Sequence, residues 1–257
     1  MKITNLVEEI FAQAVSLDQS GGLKNTIYAI GHEIYILNYD HTVLLRFRLR
    51  GSEGTFETPI SFKANDYDSN VFEEKNGKII FTSGNEEYQR KKITGTTDLT
   101  PEEVKALFNK YITEKEDRIS SNLSASVISL LDTELSHIEF SGEADGNIKM
   151  IQRNIYSGGI IEVTKKENDA DMFKESLESD FGPVAIKTDD FRALFYFQDV
   201  LQFSFPARGK EDFILVKGTD KNKRDITGLI ACCLYDEVIK LKEVQNGRQV
   251  TQIRRRK

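Results

Sequence analysis

Short apolar runs separated by tight-turn residues recur along most of this chain, and their spacing leaves room for strands but for few long helices. Ile27-Tyr28-Ala29-Ile30 and Glu33-Ile34-Tyr35-Ile36-Leu37 flank Gly31-His32, the pattern of a two-residue hairpin. Asn38-Tyr39-Asp40-His41 then turns the chain into Thr42 to Leu49, whose end alternates apolar residues with Arg46 and Arg48 as a half-buried strand does. Thr58 to Phe62 follows. Lys78 to Thr82 and Glu87 to Ile93 form a further hairpin about Ser83-Gly84-Asn85. The later part of the chain repeats this style. His137 to Phe140 and Asn147 to Ile151 lie either side of Asp145-Gly146. Ile155 to Val163 comes next, and Leu201 to Phe205, Phe213 to Val216 and Ile226 to Leu234 close the series.

Helical signals are fewer. Asn5 to Leu17 repeats Leu6, Ile10 and Ala14 at i+4, with Glu8 and Glu9 suited to a first turn. Thr100-Pro101-Glu102-Glu103 is a helix start, with a capping hydroxyl, a first-position proline and acids behind it. Val104, Leu107, Phe108, Tyr111 and Ile112 continue it as one apolar stripe. Asn122 to Leu135, with Val127, Ile128, Leu130 and Leu131, is predicted to be helical. Asp189 to Phe197 is predicted to be a short helix with acids at its front.

These elements fall into two α+β halves of similar grammar. Glu33 to Ile36 matches Asn147 to Met150, and Ile79-Ile80-Phe81 matches Phe213-Ile214-Leu215, at an offset that drifts from about 114 to about 134 residues. The predicted organisation is a first domain over 1–99, a helical connection over 100–118, a second domain over 119–237 and an extension over 238–257.

Charge is unevenly spread. The net charge is −6, yet Val238 to Lys257 carries seven Lys or Arg against one acid, so the other residues sum to −12. An acidic body argues against general nucleic-acid binding but leaves room for a local basic surface. The tail, ending Arg254-Arg255-Arg256-Lys257, reads equally as an arm that touches phosphates or as a solvated end. No apolar run is long enough to span a membrane and the N-terminus has no signal core, so a cytoplasmic protein is expected. Cys232 and Cys233, the only cysteines, are adjacent and poorly placed to bridge each other; they read as small buried residues of a strand.

Catalytic and metal-binding signatures are missing. The sequence has no P-loop-type glycine run and no Cys/His cluster with metal spacing, so no cofactor and no metal is predicted. His32, His41 and His137 sit in or beside turns. Helix capping and turn formation account for Asp189-Asp190 and Asp40-His41.

The stretch from Phe56 to Ile93 carries Pro59-Ile60-Ser61-Phe62, then Asn76 to Asn85, then Tyr88-Gln89-Arg90. Together with the opening Met1-Lys2-Ile3 and the closing stretch Gly182 to Leu234, it resembles the DNA sliding clamps: bacterial beta clamps, proliferating cell nuclear antigen and tailed-phage clamps. The resemblance covers nearly the whole chain. It implies a DNA-clamp fold with helices on the inner face and antiparallel sheets outside, and a homotrimeric ring of two-domain subunits joined edge to edge. It implies a non-enzymatic processivity factor that encircles double-stranded DNA without sequence preference, with a DNA polymerase and a clamp loader as partners. On that reading Lys187 and Arg192 face the DNA, with Lys63, Lys110, Lys115 and Arg118 behind them, giving loose, salt-sensitive phosphate contacts. The chain departs from the family in two places: Asn65 to Asn70, where a second helix belongs between Ser61 and Phe72, is poor helix material, and the basic tail runs past the last strand. The competing reading is a β-rich oligomeric assembly protein, such as a virion component, that encircles nothing.

Overall fold

The computed structural model describes residues 10, 14, 25–63, 71–75, 78–83, 86–91, 99–113, 118–132, 135–142, 148–153, 160–165, 184–195, 200–206, 213–220 and 223–232. Most of them lie in antiparallel sheet. The chain divides into two compact units: Met1–Lys115 with Ala193–Gln198 and Leu215–Leu229, and Glu116–Arg192 with Asp199–Ile214 and Ile230–Lys257.

The first unit holds β1 (Thr26–Gly31), β2 (Glu33–Leu37), β3 (Val43–Arg48) and β4 (Phe56–Lys63), with β1, β2 and β3 side by side and β4 returning beside β1. Ile30 pairs with Glu33, so Gly31 and His32 form the predicted two-residue turn. Gly31 has φ 59°, which glycine adopts without strain. The β2–β3 turn is closed by Asn38, whose Oδ1 accepts from the Thr42 and Val43 amides at 2.8 Å each. Alternation sorts the side chains into two faces. Ile27, Ala29, Ile34, Ile36, Leu45, Phe47, Ile60 and Phe62 share one, all of them buried. Tyr28, Tyr35, Glu33, Arg46, Arg48 and Lys63 share the other.

Helix α1 (Pro101–Thr113) covers part of that second face. The Thr100 hydroxyl accepts from the Glu103 amide at 3.2 Å, the capping hydroxyl the sequence predicts, and the Glu103 carboxylate accepts from the Thr100 amide at 2.7 Å, which makes the cap reciprocal. Val104 and Phe108 are fully buried, and Phe108 meets Tyr35 edge to face at 5.4 Å. Burying such a phenylalanine contributes about 1.5–3 kcal/mol. Of the predicted first helix, Ile10 and Ala14 are described; both are helical and fully buried one turn apart, and the Asn25 amide donates to the Ala14 carbonyl at 2.7 Å.

Three further strands, β5 (Val71–Lys75), β6 (Lys78–Ser83) and β7 (Glu86–Lys91), form an antiparallel sheet in the order β5-β6-β7. Ser61–Lys63 complete β4 and Val71–Phe72 begin β5; the residues between, where the doubtful helix would fall, lie outside the described residues.

In the second unit β8 (Arg118–Ser124) pairs with β13 (Val200–Pro206). The strands β9 (His137–Gly142), β10 (Ile148–Arg153), β11 (Ile160–Lys165) and β12 (Val184–Lys187) form a sheet in the order β11-β10-β9-β12. Helix α2 (Thr188–Leu194) follows β12 directly, as predicted. One prediction fails: Asn122 to Leu135 is no α-helix. Asn122 to Ser124 finish β8, and Ala125–Leu130 form a 3-10 turn that ends in an extended Leu131. Serines explain it. The Ser124 hydroxyl accepts from the Ser126 amide and the Ser129 hydroxyl donates to the Ser126 carbonyl, local bonds that compete with a helical ladder.

Of the last strands, β14 (Phe213–Thr219) and β15 (Asp225–Ala231), the stretch Leu215–Leu229 belongs to the first unit, where the sheet order runs β4-β1-β2-β3-β15-β14. Gly228 marks how close β15 lies to β3: a Cβ there would stand 2.6 Å from Leu45 Cδ2. The turn between β14 and β15 is anchored by Arg224, whose fully buried side chain lies 2.9 Å from Asp220 and 3.4 Å from Glu53. Cys232 lies just past the end of β15 and is half-buried, so it is not the buried strand residue expected; Cys233 lies outside the described residues.

Candidate nucleic-acid interface and open sheet edges

The predicted DNA-facing cations come from separate elements. Lys63 ends β4, and its ammonium donates to the Thr26 hydroxyl at 2.7 Å across the strand pair. Lys110 is exposed in the last turn of α1, with its ammonium 5.5 Å from the Tyr111 ring centre. Lys187 ends β12 and Arg192 lies in α2; both are half-exposed. Arg118 begins β8, its backbone opposite Pro206, and Lys115 lies outside the described residues. The structure therefore sets Lys63 and Lys110 in the first unit and Lys187 and Arg192 in the second, the latter pair five residues apart along β12 and α2.

What holds Arg192 at the surface is the packing of α2. Phe191, its neighbour, is fully buried with its ring centre 5.5 Å from Phe140 and 5.4 Å from Phe203. The N-terminus of α2 is fixed by the Thr188 amide, which donates to the Ser136 carbonyl at 2.9 Å. Gln152, buried on β10, exchanges two bonds with the Asp132 backbone, at 2.8 and 3.1 Å, and so ties down the segment that leads to Ser136.

The strongest charge cluster was not singled out from sequence. Glu33 lies 2.7 Å from the Lys105 ammonium, 3.6 Å from Arg46 and 3.8 Å from Arg48, and accepts from the Tyr35 hydroxyl at 3.1 Å. Arg46 in turn stands over the Phe108 ring at 4.8 Å and donates to Thr227 at 3.3 Å. Burial pushes the Glu33 carboxyl up, but the bond and charge of Lys105, the Tyr35 hydroxyl and the Arg46 charge together hold it below the usual value of 4.5. Burial and then the Glu33 charge push the Tyr35 phenol well above its ordinary range. The hairpin register places Glu33 opposite Arg48, so a careful pairing of β2 with β3 signals half of this cluster. Lys105 comes from a helix 72 residues on, and no local pattern signals it.

Among the described strands, those that end a sheet (β4, β5, β7, β8, β11 and β12) have one described neighbour each. β7 is bonded to β6, and β11 to β10. The order β4-β1-β2-β3 in the first sheet is matched by β12-β9-β10-β11 in the second, and β3 carries β15 on its far side where β11 carries no described strand.

Solved structures that resemble the chain over most of its length are sliding clamps. The beta clamp of Helicobacter pylori, solved with diflunisal, aligns with a TM-score of 0.62 at 12% identity over 90% of this chain and 66% of that one. The same clamp solved with 5-chloroisatin aligns at 0.60 and 12%, and there the chain spans 65% of the clamp's length. The PCNA2–PCNA3 complex of Sulfolobus tokodaii aligns at 0.58 and 11%, over 90% of this chain and 98% of that one. No protein-family model matches the sequence, and no curated protein does. The likeness fixes the fold: mostly antiparallel sheet with few helices. Among the described residues no helix is long and apolar enough to cross a membrane, and no group of three or more His, Cys, Asp or Glu is placed to hold a metal.

Proposed function

We propose that this chain is a subunit of a DNA sliding clamp, a non-enzymatic ring that encircles duplex DNA and tethers a DNA polymerase. The observation that carries the reading is the clamp fold over 90% of the chain, shared with clamps of two kinds. The matched strand orders support a division into two clamp-like domains, 1–99 and 119–237, joined through 100–118 with α1 at its centre and followed by the extension 238–257. If the halves are repeats, the join of β3 to β15 inside one chain has a counterpart in which β11 of one copy takes β7 of the next. Three copies then close the ring as a homotrimer of the tailed-phage and PCNA type, with a clamp loader to open it.

Retention in such a ring is topological, so the inner surface needs only loose, salt-sensitive phosphate contacts. Lys187 and Arg192, with Lys63, Lys110, Lys115 and Arg118, are assigned to that role. The acidic remainder of the body keeps DNA off the outer surface.

Two measurements test the reading together. Sedimentation gives the subunit count, with three expected. Loaded on nicked circular DNA, the ring stays bound, and it leaves within seconds once the circle is cut. Equal loss from circular and linear DNA by a stable oligomer would point to the edge-pairing assembly protein instead, and a monomer at high concentration would remove the ring altogether.

A further inference from the structure

At the β1–β2 turn the first unit holds an open cavity of about 440 Å³, lined by none of the cations assigned above to DNA. That volume lies within the range of small-molecule pockets, about 300–1,000 Å³. Its walls are unevenly charged. Arg48 and Lys105 face the cavity, and Glu33 is the one acid among the lining residues. Behind the lining, Arg46 adds a third cation to the same carboxylate, so the cluster of Glu33, Arg46, Arg48 and Lys105 carries a surplus of two positive charges. Arg48 is the freest of these. Its side chain is 56% exposed, and its contact with Glu33 is a single long one at 3.8 Å. Lys105 gives one bond to Glu33, leaving the other two donors of a 40%-exposed ammonium available.

The rest of the lining suits a small ligand. Gly31 and Gly51 border the cavity, and a Cβ built at either meets nothing within 4 Å, so backbone and solvent space are open to an approaching group. His32 stands at the rim with Nδ1 3.0 Å from the Gly54 carbonyl, which makes Nδ1 the donor and holds the ring in place. Leu49 is buried and supplies an apolar floor; its amide bonds the His32 carbonyl at 2.7 Å, fixing the two sides of the cavity to each other.

We propose that this cavity binds a phosphomonoester dianion carried on a small organic group. The ester's charge, about −1.5 to −2 at neutral pH, matches the surplus of two, and a guanidinium fork and an ammonium are the side chains that suit phosphate oxygens. The organic group rests on Leu49. The assignment is independent of the clamp reading, because every lining residue belongs to the first unit and the site needs neither DNA nor a second copy.

Calorimetric titration of the full chain with adenosine monophosphate and with inorganic phosphate, at constant ionic strength, tests it. Saturable binding of the nucleotide at a single site is expected, with inorganic phosphate equal or weaker. Two variants remove charge complementarity and leave the fold intact: Arg48→Gln deletes an exposed cation, and Gly51→Asp adds an acid where the added Cβ meets no atom. Each weakens binding by at least about tenfold with an unchanged thermal midpoint. Failure of both ligands to saturate at low-millimolar concentration overturns the proposal. So does binding that neither variant changes, or capture of a phosphoserine peptide where both small ligands fail.

Discussion

Strands β1–β4 and the sheet β9–β12 share the same relative order, yet the side-chain clusters packed on one face of each differ in chemistry. Opposite its apolar face, the first carries a charge cluster. Glu33 sits among Lys105, Arg46 and Arg48 beneath α1, and Arg224 is sealed between Glu53 and Asp220 beside β3. The second buries aromatic rings: Phe140 on β9 meets Phe191 of α2 and Phe205 of β13 at 5.5 and 5.3 Å, and Phe203 stacks beside Phe205. One strand order therefore does not dictate one kind of cluster. Alternation and turns set the order, and whatever covers each sheet sets the chemistry beneath it.

Substitutions that cut each kind of cluster separate the two. Arg224→Ala removes the buried cation that faces Glu53 and Asp220 and is expected to cost about 3–5 kcal/mol in denaturant unfolding. Phe140→Ala is expected to cost a similar amount, about 3–5 kcal/mol, through the cavity it opens. The contrast lies in rescue. Added apolar volume nearby recovers part of the Phe140→Ala loss and none of the Arg224→Ala loss; equal rescue of both would erase the distinction.

Gly228→Ala is expected to cost about 1–3 kcal/mol, because its methyl meets Leu45 Cδ2 at 2.6 Å. The double variant with Leu45→Ala measures the coupling, and additive costs would show that β15 does not press on β3 there. Thr100→Ala removes the hydroxyl that caps α1 and lowers stability by about 1 kcal/mol in the same assay.

The smallest effect is a slope. The Glu33 carboxyl is held below 4.5 in the fold, so its contribution is complete above that pH and is lost as acid carries the solution through the lowered value. Thermal midpoints recorded from neutral pH down through the carboxylate range fall less steeply for Glu33→Gln than for the parent chain. Parallel curves would mean the carboxylate contributes no pH-dependent stability.

The difference between the regions also explains what the sequence made legible. β1, β2, β3 and β6 follow from alternation and from Gly31-His32, Asn38 and the turn after Ser83, because a half-buried sheet imposes its period on consecutive residues. The cap at Thr100 and the short helix after Lys187 are equally local. Asn122 to Leu135 misleads because Val127, Ile128, Leu130 and Leu131 fit a helical stripe, and the serine bonds that win are weaker signals than apolar spacing. The cations assigned to DNA were chosen from their type and neighbourhood, whereas Glu33 with Lys105, and Glu53 with Arg224, are pairings that chain topology makes and sequence distance hides. The join of β3 to β15 is hidden in the same way: its strands stand far apart in the chain, and the glycine at 228 is its one local trace.

In the proposed ring the joint sets β11 of one copy against β7 of the next, two different strands, and that has a consequence for assembly. A joint between unlike edges is heterologous: each copy always offers its next edge to another. Such a joint carries no count of its own. The angle between successive copies alone decides whether the series closes on itself or runs on as a filament. A substitution far from both edges that alters this angle would convert a closed assembly into an open one with every edge contact intact. Selection on this chain would then act on curvature as strongly as on affinity.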